Sequence, residues 1–173
     1  MSKQVYTWGK VTAGDIVSFR YKGKQPTSKL TTLLVLNPKM PYKKKDGSKT
    51  FHLIGLKLEE KGIIPTIKAK PMFAQLLEKV GDIQVVSGED EIYRVEIKGA
   101  GPRGVKRATY NKIKRAVIKH SVYRTYLYKE ARKSAVFLEP VVLSNEFRKM
   151  IKSRQLRKIF EKHEPGSGPK LSF

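Results

Sequence analysis

The stretch AGDIVSFRYKGKQPTSKLTTLLVLNPK, residues 13–39, decides how the first half of the chain is read. In DIVSFRY, Ile16, Ser18 and Arg20 alternate with Val17, Phe19 and Tyr21, the two-residue period of a half-buried strand. KGKQPTSK supplies Gly23 and Pro26 for a turn. LTTLLVLNP is a continuous apolar run that suits a central strand, with Pro38 expected to end it. PYKKKDGSK then reads as a loop tipped by Asp46-Gly47, a hairpin turn signal, with Lys43, Lys44, Lys45 and Lys49 around it. TFHLIGLKL is the third strand. Three strands joined by short turns form an antiparallel meander, and the expectation is that it curls into a small barrel.

Further along, KPMFAQLLEKVG predicts an amphipathic helix with Pro71 at its first position, Gly81 at its stop, and Met72, Phe73, Leu76, Leu77 and Val80 as its apolar stripe. DIQVVSGEDEIYRVEIKG reads as a hairpin turning at Ser87-Gly88, with an acidic tip at Glu89, Asp90 and Glu91. RATYNKIKRAVIKHSVYRTYLYKEARK predicts one helix breaking near His120-Ser121, or two short ones. SAVFLEPVVL is a strand containing Pro140, and Ser144 caps a last helix whose Phe147, Met150, Ile151, Ile159 and Phe160 face one way. The expected class is α+β: a small antiparallel β-barrel meander, an amphipathic helix, and a basic helical C-terminal half. The divisions are residues 1–100 for the β-rich core, 101–165 for a basic extension packed on it, and 166–173 for a flexible tail.

Charge narrows the function. The 173 residues carry 37 Lys plus Arg against 15 Asp plus Glu, a net charge of +22. Residues 1–100 hold 18 basic and 10 acidic residues, whereas residues 101–173 hold 19 and 5, so the excess is concentrated in the second half. Self-repulsion on that scale opposes compaction, and a polyanionic partner is its economical explanation. A Lys-rich surface that only keeps the chain soluble is the bland alternative. Cysteine is absent, which excludes disulfides and thiolate metal sites and suits a reducing compartment. No apolar run reaches the roughly 20 residues of a membrane helix, and MSKQVYTWGKV lacks the apolar centre of a signal peptide.

Chemistry-bearing patterns are few. GAGPRG at 99–104 has the spacing of a dinucleotide fingerprint, but no ribose-binding acid follows about 20 residues on and no parallel βαβ unit surrounds it. It reads either as an ordinary connection or as a Gly-rich loop that meets a phosphate with Arg103, Lys106 and Arg107. His52, His120 and His163 have no companion at ligand spacing, so no metal and no cofactor is expected. From Arg103 to Lys133, Tyr110, Tyr123, Tyr126 and Tyr128 interleave with Lys112, Lys114, Arg115, Lys119, Arg124, Lys129 and Arg132. Tyr110 and Tyr126 are expected in the core, while Tyr123 and Tyr128 suit either the core or base stacking. The candidate polyanion-binding residues are Arg103, Lys106, Arg107, Lys112, Lys114, Arg115, Lys119 and Arg124, with Lys43, Lys44 and Lys45 as a second group.

Three resemblances bear on the role. GDIVSFRY followed by LLVLNP resembles the entry to toxin ribonucleases of the Kid/PemK barrel type, although a Lys-rich turn stands here without an acid–base pair after it. GDIV with YKGK, and later GPRGVKR, resembles ribosomal-protein barrels. The order FRYKGK, LLVLNP, FHLIGLKL, TYNKIKR and YRTYLYKEARKSAVFLEP, across roughly residues 14 to 140, resembles small proteins of contractile-tailed phages, with QPTSK in place of their Leu-Pro-Tyr-Tyr turn. That last resemblance implies a non-enzymatic virion component of the tail, baseplate or neck, assembled in the host cytoplasm and contacting other virion proteins or DNA. The alternatives are a nucleic-acid-binding module outside any particle, RNA-binding or ribosome-associated, and a toxin-type ribonuclease.

Overall fold

The computed structural model describes residues 4–21, 30–58, 71–78, 83–87, 92–98 and 105–152. Its elements in chain order are β1 (Gln4–Tyr6), a 3-10 turn (Trp8–Lys10), β2 (Ile16–Arg20), β3 (Leu30–Lys43), β4 (Lys49–Leu58), α1 (Met72–Glu78), β5 (Ile83–Ser87), β6 (Tyr93–Ile97), α2 (Arg107–His120), β7 (Ser121–Leu127), α3 (Tyr128–Ala131), β8 (Val136–Leu138), β9 (Val141–Leu143) and α4 (Asn145–Lys152). Six strands form one antiparallel sheet in the order β1-β8-β2-β3-β4-β7. A second sheet, β5-β6-β9, pairs β5 with β6 antiparallel and β6 with β9 parallel.

The expected meander is β2-β3-β4. Its Asp46-Gly47 turn is closed by the Lys44 N–H donating to the Ser48 carbonyl at 2.8 Å. Asp46 Oδ1 accepts from the Ser48 N–H and hydroxyl at 2.9 and 2.6 Å. Pro38, by contrast, does not end its strand. β3 runs on to Lys43, and register shifts on either side of Asn37 absorb the irregularity. Pairing with β2 stops at Leu34, apart from bonds that link Val35 to Gly14 and Asp15. Past that point one side of β3 has no strand beside it among the described residues, so a proline can sit there without removing a ladder bond.

Two expectations for the second half are corrected. The helix does stop at His120, where the Ser121 hydroxyl donates to the Val117 carbonyl, but a strand follows it. Val122, Tyr123, Thr125 and Tyr126 are β-branched or aromatic, and β7 lays Tyr123 opposite Leu56 on one face and Tyr126 opposite Leu53 on the other. SAVFLEPVVL is two strands, divided at Glu139-Pro140 between the two sheets. The second half is thus only partly helical, and residues 121–143 supply strands to both sheets.

Over β2 and the middle of β3 and β4 the six-stranded sheet is buried on both faces. Ile16, Leu34, Leu36, Ile54 and Leu56 pack beneath Phe73 and Leu77 of α1, Ile113 and Val117 of α2, and Phe147 of α4. Val17, Phe19, Leu33, Val35 and Leu53 form a second core on the opposite face with Val11, Ala131 and Val136. The strand expected to keep a solvent face therefore has none over Ile16–Phe19, including Ser18. Each such aliphatic side chain contributes about 1.5–3 kcal/mol by leaving water.

The sheet rolls, but the expected closed barrel is not formed. Tyr21, after β2, and Tyr126, on β7, have ring centroids 4.9 Å apart. In a flat sheet three strand spacings, about 14 Å, would separate those strands. Trp8, after β1, reaches Tyr128, after β7, at 6.3 Å, and its Nε1–H donates to the Ser134 carbonyl at 2.8 Å. Among the described residues no backbone pairing joins β1 to β7; side chains close the seam instead.

Helix α4 is fixed at its start by Ser144, whose Oγ accepts the Phe147 N–H at 3.3 Å, as its capping role requires. Arg148 then ties α4 to the entry of β2. Its Nη1 and Nη2 donate to Asp15 Oδ1, each at 3.2 Å, and its Nε donates to the Leu143 carbonyl at 3.3 Å. Asp15 Oδ2 accepts the Thr12 N–H and hydroxyl at 2.9 and 3.3 Å. Gly14, at φ +94°, lies against the Arg148 stem, where a Cβ would meet Cγ at 3.0 Å.

Gly55 is the tightest point of the hairpin: a Cβ there would lie 2.5 Å from Leu33 Cγ and 2.6 Å from the Leu34 carbonyl oxygen. Gly55→Ala should destabilise the fold by about 1–3 kcal/mol or more, as overpacking does. A urea midpoint unchanged from wild type would show that this approach is not tight.

Candidate polyanion-binding surfaces

Helix α2 is built with one apolar stripe and one cationic arc. Thr109, Ile113 and Val117 are buried at successive helical turns, and Tyr110 and Ala116 pack at the margin of the main core. Lys106, Arg107, Lys112, Arg115 and Lys119 are exposed and Lys114 is half-buried. The helix contains no carboxylate, and the chain has none between Glu96 and Glu130. Lys106 occupies the N-cap without a side-chain cap bond, and Arg107 follows in a first turn that lacks an acid. Cations at that end of a helix oppose its dipole, at a cost of about 0.3–1 kcal/mol each. Lys119 and His120 stand at the favourable end.

The other candidates are placed elsewhere. Lys43, Lys44 and Lys45 are exposed at the tip of the β3–β4 hairpin. Lys49 is directly opposite Lys43 in the ladder. Serine 121, which follows α2, pairs with Leu58 at the far end of β4. β4 has ten residues, so along the strand the tip and the C-terminal end of α2 lie about 30 Å apart. Arg124 pairs with Gly55 on the opposite face of the sheet from α2 and donates from Nη1 to the Tyr123 carbonyl at 3.3 Å. Arg103, with GAGPRG, lies outside the described residues. The ten candidates among the described residues thus form an α2 group and a hairpin group, with Arg124 apart from both.

The tyrosines divide by core. Tyr110 packs on the main core and Tyr126 on the second, as expected. Burial pushes the Tyr126 phenol up to about 12, against the nearby Arg124 charge and helped by Tyr21, so it stays protonated at neutral pH. Tyr123 is buried in the main core. Tyr128 is half-buried beside Trp8, and the Lys39 ammonium lies over its ring at 5.2 Å. The same ammonium lies over Phe51 at 4.7 Å. Sequence reading missed Lys39 and Phe51. Phe51 stands within the strand TFHLIGLKL, where register alone sets which side it faces, and Lys39 lies one residue past Pro38, the expected end of the preceding strand.

Among the described residues no three His, Cys, Asp or Glu side chains come together as a metal site, and no helix is long and apolar enough to cross a membrane. Compared with protein-family models, curated proteins and solved structures, the chain matches none.

His52 sits on the side of the hairpin opposite the Lys39 rings, buried, with the Tyr42 ring edge-on at 5.5 Å and Nδ1 without a hydrogen-bond partner. Burial, and then the Lys44 charge, hold its pKa below the usual value. The unfolded chain takes up this proton near pH 6.5 and the folded chain only at lower pH. Stability from this residue is therefore complete above about pH 6.5 and falls as pH drops through the depressed folded value. Urea midpoints of wild type and His52→Leu between pH 8 and pH 5 should diverge, with wild type losing more; parallel curves would contradict the assignment.

Proposed function

We propose that this protein binds the phosphate backbone of nucleic acid through the solvent arc of α2, as a non-enzymatic component of a larger assembly. One observation carries the reading: Arg107, Lys112, Lys114, Arg115 and Lys119 share the solvent side of α2, Lys106 is exposed at its N-cap, and the helix contains no acid to neutralise these six cations. Like charges three and four residues apart on a helix repel, and two of the six also oppose the dipole. A phosphate row beside them relieves these costs together and releases condensed counterions. Backbone contacts of this type position a protein without reading sequence.

The resemblance to small basic components of contractile-tailed phages supplies the proposed setting: a minor tail, baseplate or neck protein packed against DNA or an acidic protein surface. Mass spectrometry of purified particles should find it, and its absence would move the activity to a nucleic-acid-binding module outside the particle.

Replacing Lys106, Arg107, Lys112 and Arg115 together with glutamine should weaken duplex DNA binding. The slope of log K against log salt should become shallower by roughly 3–4. All four side chains are exposed, so thermal unfolding should be little changed. Binding that is unchanged would place the interface elsewhere. RNA should be recovered intact from the same reactions; cleavage would restore the ribonuclease reading.

A further inference from the structure

The hairpin end carries a different chemistry from α2. Lys39, Pro41 and Lys43 of β3 lie across from Lys49 and Phe51 of β4, with Pro41 opposite Phe51 and Lys43 opposite Lys49. Directly opposed like charges destabilise a strand pair, yet this pair is followed by Lys44 and Lys45. On the same side, Phe51 is 38% exposed, a large apolar ring left in water at the end of a strand. Its face and the face of Tyr128 are both turned to the Lys39 ammonium, at 4.7 and 5.2 Å. The two centroids are therefore less than about 10 Å apart. A planar ring stacked on each face needs roughly 7–8 Å, two ordinary carbon contacts.

We infer that Phe51 and Tyr128 form a stacking site for an unpaired nucleobase, with Lys43 and Lys49 taking the adjoining phosphate. The inference rests on the backbone-binding reading and deepens it by naming the ligand as single-stranded nucleic acid. In the free protein Lys39 occupies the slot through its attraction to both rings. A base displaces it, and the ammonium then pairs with the backbone. Duplex DNA keeps its bases stacked internally and cannot enter. A polyglutamate chain offers carboxylates to the lysines but no planar ring to place between Phe51 and Tyr128. Tyr128 is held at this slot by Trp8, 6.3 Å away, and Trp8 is the chain's single tryptophan. Base stacking on Tyr128 is thus reported by Trp8 fluorescence.

The test titrates the full chain with an oligothymidylate of about 16 nucleotides, a duplex of equal length, polyphosphate and polyglutamate, all at one salt concentration. Anisotropy gives affinity and Trp8 emission reports the slot. The expected result is tighter binding of the single strand than of the other three, with a change in Trp8 emission for it alone. Phe51→Ala should weaken single-strand binding by about tenfold, within the range of one stacked base, and leave the other three affinities unchanged. Phe51→Tyr should restore it and Phe51→Leu should not. Equal binding of all four polyanions, or an unaffected Phe51→Ala, would overturn the stacking site while leaving backbone binding in place. A uniform loss for all ligands in Phe51→Ala would also overturn it, by making Phe51 a structural residue. No binding of any nucleic acid would remove the underlying reading as well.

Discussion

The close approach of Leu33 to Gly55 is the constraint on which the rest of the structure depends. The β3–β4 hairpin is shared by two cores, one on each face, so neither strand can relax toward solvent. Rolling a sheet crowds the side chains on its concave face, and Gly55 removes one side chain at the centre of that face, where Leu33 fills the space. The roll then brings elements from both ends of the chain together. Phe19 receives Trp8 at 5.3 Å and Tyr126 at 5.4 Å, each edge-on. Edge-to-face pairs add stabilisation beyond their buried area, and here they substitute for the hydrogen bonds a closed barrel would have at its seam.

Legibility in the sequence followed the range of the interaction. Local signals carried the meander, the Asp46-Gly47 turn, the antiparallel β5–β6 hairpin and the Ser144 cap, because each depends on residues a few positions apart. Pro38 misled because its cost depends on whether a neighbouring strand needs its N–H, which is a property of the sheet. SVYRTYL misled in the other direction: in a basic, tyrosine-rich run its helical spacing and its two-residue alternation were both present, and pairing with β4 decided between them. The Asp15–Arg148 pair, 133 residues apart, left no sequence signal at all. For the candidate surfaces, the cations of α2 were legible from charge density and helical period together. The Lys39–Phe51–Tyr128 arrangement was not, since it needs the register of β3 against β4 and the roll that delivers α3.

Acid placement explains why the surface stays so positive. Asp15 is inside, held by Arg148 and Thr12. Asp46 is engaged by the turn it forms, where the Ser48 bonds hold its pKa below the usual carboxylate range. Glu130 pairs with Lys133 on the exterior at 3.1 Å, a contact of small value in water. These carboxylates serve local geometry; none of the three lies on α2, and Asp46, in the turn between Lys43 and Lys49, is engaged by Ser48. Three of the scarce acids are thus engaged in local contacts, while the cations of α2 and of the hairpin tip face outward.

The two proposed surfaces sit toward opposite ends of β4 and ask different things of a ligand. The α2 arc presents charge, and its tyrosine, Tyr110, is packed on the core, so it cannot distinguish paired from unpaired strands. The hairpin end presents two ring faces and opposed lysines, and it responds only where a base can leave its stack. A rigid duplex is limited to the first surface. A flexible single strand long enough to cover about 30 Å reaches both, and the second contact then forms at the high effective concentration that tethering provides. Strand preference, on this reading, comes from the geometry between the surfaces as much as from either one: the hairpin end selects, and the α2 end supplies most of the salt-sensitive affinity.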